Sequence, residues 1–238
     1  AKLGKSIEVG AKDAFGNVSR PLVSTIARLK PQLFRPAQNG HYMANEKKIP
    51  FWDGYQTSLL NDSTQTAITY LGETWKIQSK NTRWGNAELR APFVYKELEG
   101  DFTIEVKISD VAGLASKTRT SSEAGLMIQA RDSLDAYINN SILTGWNLGN
   151  LSRSVGQHIF REGNTGTGLN FSPYLQIQRA GDYFFLRCSV DGLSWKDLPE
   201  TPFLRTDLSG KRLRVGLYQV AGNNQLGYAD FESLKIWR

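Results

Sequence analysis

The chain has 238 residues, 40% of them hydrophobic and 22% charged, a balance that excludes a disordered or membrane-spanning polypeptide and leaves room for one large core or two small ones. Its 29 Lys and Arg exceed its 23 Asp and Glu by +6, but the basic residues are spread along the chain rather than gathered into the patch that a nucleic acid needs. A single cysteine, Cys188, excludes an intrachain disulfide, a cysteine zinc site and a redox pair, and two histidines, His41 and His158, leave little material for histidine-metal chemistry.

Residues 1–36 begin with an alternating segment, Ser6 to Ala11. A turn succeeds it at Asp13-Ala14-Phe15-Gly16-Asn17, then a returning segment, Val18 to Leu29, and Pro31 and Pro36 punctuate the chain. This predicts a short β hairpin, which cannot bury a core of its own. Either the rest of its module lies upstream or the hairpin docks on the remainder of the chain. No signal peptide is present, and the start at Ala1 is what a processed secreted protein or an excised piece would show.

From residue 37 onward apolar residues recur at every second position and almost nowhere at helical spacing, which predicts strands. In Asp101 to Asp110, Phe102, Ile104, Val106 and Ile108 alternate with Thr103, Glu105, Lys107 and Ser109, giving one face to a core and one to solvent. Ala124 to Arg131 sets Leu126, Ile128 and Ala130 against Met127, Gln129 and Arg131. Tyr174 to Gln178 sets Leu175 and Ile177 against Gln176 and Gln178. Phe184, Leu186, Cys188 and Val190 face inward in the next segment, and Leu213, Val215 and Leu217 do so opposite Arg214 and Tyr218. Cys188 is thus a buried small hydrophobe rather than a reactive thiol. Turns at Ala180-Gly181-Asp182 and Asp191-Gly192 join neighbours in antiparallel fashion. Tyr228 to Trp237 changes parity between Phe231 and Leu234, so a bulge there keeps Leu234 and Ile236 in the core. An antiparallel set with no crossover helices closes as a two-sheet sandwich or a barrel.

Candidate chemistry is sparse. A glycosidase needs two carboxylates within about 5 to 10 Å; Glu97, Glu99 and Asp101 alternate, but at a strand start, and Glu105 reads as a solvated cross-strand partner. No motif requires a cofactor. A calcium ion would need loop oxygens, for which Asp110, Asp132 and Asp135 are the acids near strand ends. The outward strand positions are richer in chemistry: Gln129, Arg131, Gln176, Gln178, Arg187, Arg214 and Tyr218 suit sugar hydroxyls and carboxylates better than an idle Lys, Glu and Thr mixture. Thr144 to Asn150 is a polar segment holding Trp146, with Arg153, His158 and Arg161 beyond it, and reads as either a ligand loop or an ordinary one. Trp84 is a second exposed aromatic; Trp52, Trp75, Trp195 and Trp237 read as core or lid residues.

Two resemblances add to this. From Trp75 to Trp237 the chain resembles laminin-G-like members of the concanavalin A-like lectin/glucanase superfamily, of the secreted bacterial type without assigned activity. It does so in Gly100-Asp101-Phe102-Thr103-Ile104-Glu105-Val106, Ala124-Gly125-Leu126-Met127-Ile128, Tyr174-Leu175-Gln176-Ile177-Gln178-Arg179, Ser189-Val190-Asp191-Gly192-Leu193-Ser194-Trp195 and Val215-Gly216-Leu217. Val9-x-Ala11-x-Asp13-Ala14-x-Gly16-Asn17-Val18-Ser19 resembles the last hairpin of a fibronectin type III or immunoglobulin-like domain.

The first resemblance implies an all-β, two-sheet antiparallel jelly-roll sandwich over residues 37–238, preceded by the hairpin of residues 1–36. It implies a non-catalytic carbohydrate-associated module, extracellular, at the cell surface or periplasmic, within a larger multidomain protein, with a glycan as partner and neither a nucleic acid nor a membrane span. A glycoside hydrolase of the same fold is the alternative, although the Glu-x-Asp-x-Glu strand that the superfamily's retaining glucanases share is absent here; a protein-binding or spacer module is a further one. The expected ligand groove has Arg131, Trp146, Arg153 and His158 along it and Gln129 and Arg187 on its floor.

Overall fold

The computed structural model describes residues 7–9, 22–24, 40–43, 49, 51–56, 66–80, 82, 91–113, 122–130, 141–147, 150–155, 158–163, 173–198, 201–221 and 226–238. The chain divides into two compact units, Ala1–Pro31 and Gln32–Arg238. In the first, β1 (Ile7–Val9) pairs antiparallel with β2 (Leu22–Ser24).

The second unit is a jelly-roll sandwich of antiparallel strands: β3 (Gly40–Met43), β4 (Gly54–Gln56), β5 (Thr66–Leu71), β6 (Thr74–Lys80), β7 (Phe93–Leu98), β8 (Phe102–Gly113), β9 (Ser122–Ala130), β10 (Ser141–Asn147), β11 (Asn150–Val155), β12 (His158–Gly163), β13 (Tyr174–Ala180), β14 (Tyr183–Ser189), β15 (Lys196–Asp197), β16 (Phe203–Leu204), β17 (Leu213–Ala221) and β18 (Leu226–Trp237). One sheet has seven strands in the order β12-β11-β10-β9-β17-β7-β4. The other has nine, in the order β15-β14-β13-β8-β18-β6-β5-β3 with β16 also on β14.

The inner faces of the two sheets build one core, and the alternation in the sequence is what builds it, except that Val190, expected inward, lies beyond the end of β14 and is 72% exposed. Phe102, Ile104, Val106, Leu126, Ile128, Ile177, Phe184, Leu186, Val215 and Leu217 are all buried in it, and Cys188 with them. Trp52 and Trp75 join it as expected, meeting edge to face with ring centroids 5.7 Å apart. The β18–β8 register shifts between Glu232 and Lys235, where Ser233 takes a φ of 51°. That bulge returns Leu234 and Ile236 to the core after Phe231. Arg179 stands at an inward position, and three of its nitrogens donate to the carbonyls of Gly181, Lys211 and Leu208. A buried guanidinium is tolerated here because backbone acceptors take its protons.

One edge of each sheet is covered. The free side of β14 is covered by β15 and β16, and between them Leu186 N donates to Thr201 Oγ1 at 2.9 Å while Leu198 N donates to Leu186 O at 2.9 Å. Beyond the short β4, the Asp53 carboxylate takes over the edge of β7, accepting from Glu97 N at 2.9 Å and from Lys96 Nζ at 3.0 Å. An occupied edge cannot recruit a foreign strand.

Candidate functional site

On the outward face of the seven-stranded sheet, register aligns residues of three adjacent strands, β9, β17 and β7, into rows. The first is Gln129–Arg214–Glu97, the second Met127–Gly216–Tyr95 with Gly54 of β4, the third Gly125–Tyr218–Phe93. Alternation predicts this parity correctly. It does not predict the burial: Tyr218 is 0% exposed and Gln129 only 2%, and Ala91, Phe93, Met127, Tyr218 and Val220 form a second apolar cluster with Tyr95 packed against it.

One glycine makes room for a ring and another for the neighbouring strand. A Cβ on Gly54 would run into the Tyr95 hydroxyl, and one on Gly216 would run into the Val94 carbonyl oxygen, so a side chain at either position displaces the ring or the strand. The polar groups sit among these rings. The Arg214 guanidinium carbon lies 4.8 Å from the Tyr95 ring centroid, within cation–π range. Tyr218 donates its hydroxyl to Glu123 Oε1 at 2.5 Å. Gln129 Oε1 is buried with no hydrogen-bond partner among the described residues, a costly state that a water or a ligand donor relieves. Tyr95, Arg214 and Glu97 remain half-buried and form the accessible side of this surface.

The outward face of the nine-stranded sheet differs. Register aligns Lys235–Glu105–Gln176–Arg187–Asp197 in one row, and its members bond to one another. Lys235 Nζ donates to Glu105 Oε1 at 2.8 Å. Arg187 donates to Asp197 Oδ1 at 2.6 Å, to Gln176 Oε1 at 3.1 Å and to Gln178 Oε1 at 2.8 Å. Glu105, expected in solvent, is only 3% exposed, and Lys235 and Gln176 both donate to its carboxylate.

Farther along, Asp110 and Asp230 stand opposite each other. Tyr228 donates to Asp110 Oδ2 at 2.7 Å, which pushes the phenol up to about 12, and burial pushes the Asp230 carboxyl above the usual carboxylate range despite Lys76 at 3.4 Å. Asp110, a calcium candidate in the sequence, thus spends one oxygen on a phenol. Asp132 and Asp135 lie outside the described residues. Among the described residues no three His, Cys, Asp or Glu side chains are placed together to hold a metal.

The expected groove is therefore divided. Gln129 and Arg187, read as one floor, belong to different sheets and face away from each other across the core. Arg131 and Trp84 lie outside the described residues. Thr144 to Asn150 is not a loop throughout: β10 ends at Asn147 and β11 starts at Asn150. By register Trp146 opposes Ala124, Arg153 opposes Thr144 and His158 opposes Val155, which opposes Ile142. The three positions share the sheet face of Ile142 and Thr144, opposite to that of Gln129; their side chains lie outside the described residues. Trp237 is not a core residue, for it stands opposite Thr103 on the outward face of the nine-stranded sheet. Sequence reading missed Phe93 and Tyr95, because β7 begins with residues buried on both faces and shows no alternation. The one available signal was Gly216, a glycine inside a strand.

No protein-family model matches the chain, and no curated protein matches it. Among solved structures it is similar to a functionally unknown protein from Saccharomyces cerevisiae, at 14% identity and a TM-score of 0.55 over 84% of this chain and 96% of that one. It is similar to xylan β-1,4-xylosidase from Bacillus halodurans C-125, at 11% identity and a TM-score of 0.52 over 97% of this chain and 46% of that one. It is also similar to the GH43 protein BlXynB from Bacillus licheniformis, at 14% identity and a TM-score of 0.51 with 97% and 46% covered. The chain spans less than half the length of the two Bacillus proteins. At these identities the likeness is one of fold alone, and the fold is the jelly-roll sandwich.

Proposed function

We propose that the protein is a non-catalytic carbohydrate-binding module of a secreted or surface protein, and that its ligand meets the outward face of the seven-stranded sheet beside Tyr95, Arg214 and Gln129. The observation that carries this reading is the half-buried Tyr95 ring with the Arg214 guanidinium 4.8 Å from its centroid, in a row with the Gln129 amide beneath the surface. A ring and a guanidinium donor side by side match a sugar, which offers C–H bonds on its faces and hydroxyls on its rim. The fold shared with a xylosidase and a GH43 protein is consistent with work on polysaccharides. That the chain covers less than half of each agrees with a module that serves a larger protein.

A hydrolase of the same fold is the competing reading. Glu97 and Glu99 are close enough in sequence to act as a pair, but both end on one guanidinium: Arg212 lies 3.8 Å from Glu97 and 2.9 Å from Glu99. Neither sits in the apolar pocket that makes a carboxyl a proton donor. Glu97 and Glu123 stand about six residues apart along the sheet rows, on the order of 20 Å, beyond the span of a glycosidase pair.

A glycan array run beside a reducing-sugar assay on polysaccharides tests this. The expected outcome is binding without turnover, weakened at least tenfold in Tyr95→Ala and in Arg214→Ala. Turnover that disappears in Glu97→Gln or Glu99→Gln would replace the module with an enzyme.

A further inference from the structure

We propose that the outward face of the nine-stranded sheet is a second and separate binding surface, a platform for an extended, uncharged polysaccharide. Its apolar elements lie along the sheet. Register places Trp237, Thr103, Gln178 and Phe185 in one row across four adjacent strands, so the two aromatic positions stand about 14 Å apart at three strand spacings. That is the reach of an oligosaccharide rather than of one sugar. Tyr183 lies two positions along β14 on the same face, 48% exposed, with Leu204 opposite it at 56%. Three aromatic side chains, each at least partly exposed, thus share this face; Tyr183 and Trp237 flank Phe185, whose ring the Arg187 guanidinium covers at 5.1 Å from its centroid.

The polar elements are held in place beforehand. One Arg187 nitrogen donates to the side-chain oxygens of Gln176 and Gln178 together, which fixes both amides with their oxygens turned toward the guanidinium. The Gln178 amide nitrogen then has no partner among the described residues and is left as a donor beside Phe185, its register partner. A pre-oriented amide next to a ring loses little entropy when a hydroxyl arrives.

Charge decides the class of ligand. The ions within the row and beside it are paired, Lys235 with Glu105, Arg187 with Asp197 and Lys107 with Glu232, so the middle of the face offers neither a polyanion nor a polycation a strong net attraction. The sheet edge beside the platform is occupied by β15 and β16, so an added strand from another protein has no backbone to pair with. A neutral polymer that presents ring faces and hydroxyls remains.

The test is retention of the whole chain on insoluble cellulose, chitin and neutral xylan, compared with Trp237→Ala, Tyr183→Ala, Gln178→Glu and Tyr95→Ala, with thermal unfolding and molar mass measured for each. Retention of the wild type on at least one polymer, reduced at least tenfold by Trp237→Ala and Tyr183→Ala and kept by Tyr95→Ala, supports the platform. Gln178→Glu keeps the size of the side chain and adds a charge, so a loss of binding with unchanged unfolding supports it independently of packing. Retention lost only in Tyr95→Ala overturns the platform while leaving the seven-stranded face as the site. Wild type that stays in solution with all three polymers overturns it as well. So does a concentration-dependent dimer that Tyr183→Ala dissociates, which would make this face an interface between copies of the chain.

Discussion

The outward faces of the two sheets are built on opposite plans. On the seven-stranded sheet the outward side is a second small core, with Phe93, Met127 and Tyr218 buried, Gly54 leaving room for the Tyr95 ring and Gly216 letting β7 approach closely. On the nine-stranded sheet charged and amide groups bond to one another in a row and aromatic side chains border them. The first plan gains stability from apolar area and leaves a buried acceptor, Gln129, to be satisfied. The second gains little net energy, since paired charges near solvent contribute modestly, and pairs its charges internally while leaving the Gln178 amide nitrogen open. Two sheets with the same inward pattern can thus differ in what their other side is for.

Substitutions that fill or empty the seven-stranded face should hurt most. Gly216→Val drives a side chain into the Val94 carbonyl and is expected to cost about 3 kcal/mol or more; Phe93→Ala is expected to cost about 3 to 5 kcal/mol. Thr103→Ala on the other sheet should stay within about 0.5 kcal/mol. Urea unfolding of the three variants measures this. Equal losses at Phe93 and Thr103 would mean that both outward faces are cores.

Within the nine-stranded face the charges should separate by burial. Lys235→Ala strips the partner from Glu105, whose side chain is 5% exposed, and should cost about 1 to 3 kcal/mol, because a buried carboxylate is left short of donors. Lys107→Ala breaks a pair in which both partners are about one-third exposed, and should cost about 0 to 1 kcal/mol. If the two substitutions cost the same, the row is an ordinary solvated surface.

The smallest effect belongs to the turn after β14. Asp191 accepts from the backbone N–H groups of Ser194 and Leu193, each at 2.8 Å, and from the Ser189 hydroxyl at 2.9 Å, and these donors hold its carboxyl down at about 2. Since that value lies below the 3.8 usual for an aspartate, the ionised turn stabilises the fold above about pH 4, and the contribution is lost as the pH falls toward 2. Asp191→Ala should lower the melting temperature slightly at pH 7 and show a shallower decline between pH 4 and pH 2 than the wild type. A decline of the same steepness would show that the carboxylate does not hold the turn.

Much of this was legible in the sequence. Alternation in Phe102 to Ile108 and Leu213 to Leu217 marked the core-facing side, because a strand has a period of two and one face must be dry. The parity break between Phe231 and Leu234 announced the bulge, since no regular strand keeps both inside. The Asp191-Gly192 turn came from residues that tolerate its backbone, Gly192 taking a φ of 72°.

What periodicity cannot carry is which side of the molecule a face belongs to. Gln129 and Arg187 were both outward in the sequence, and each is outward in the fold, yet they look in opposite directions because β9 and β14 joined different sheets. Nor does alternation say whether the outward face meets water: Met127, Gln129 and Tyr218 read as surface and are buried, and Glu105 read as solvated and is covered. A strand's sequence fixes the parity of its own side chains, which is local. Strand partners and the cover over the other face are set by long-range packing, and only the tertiary structure decides them.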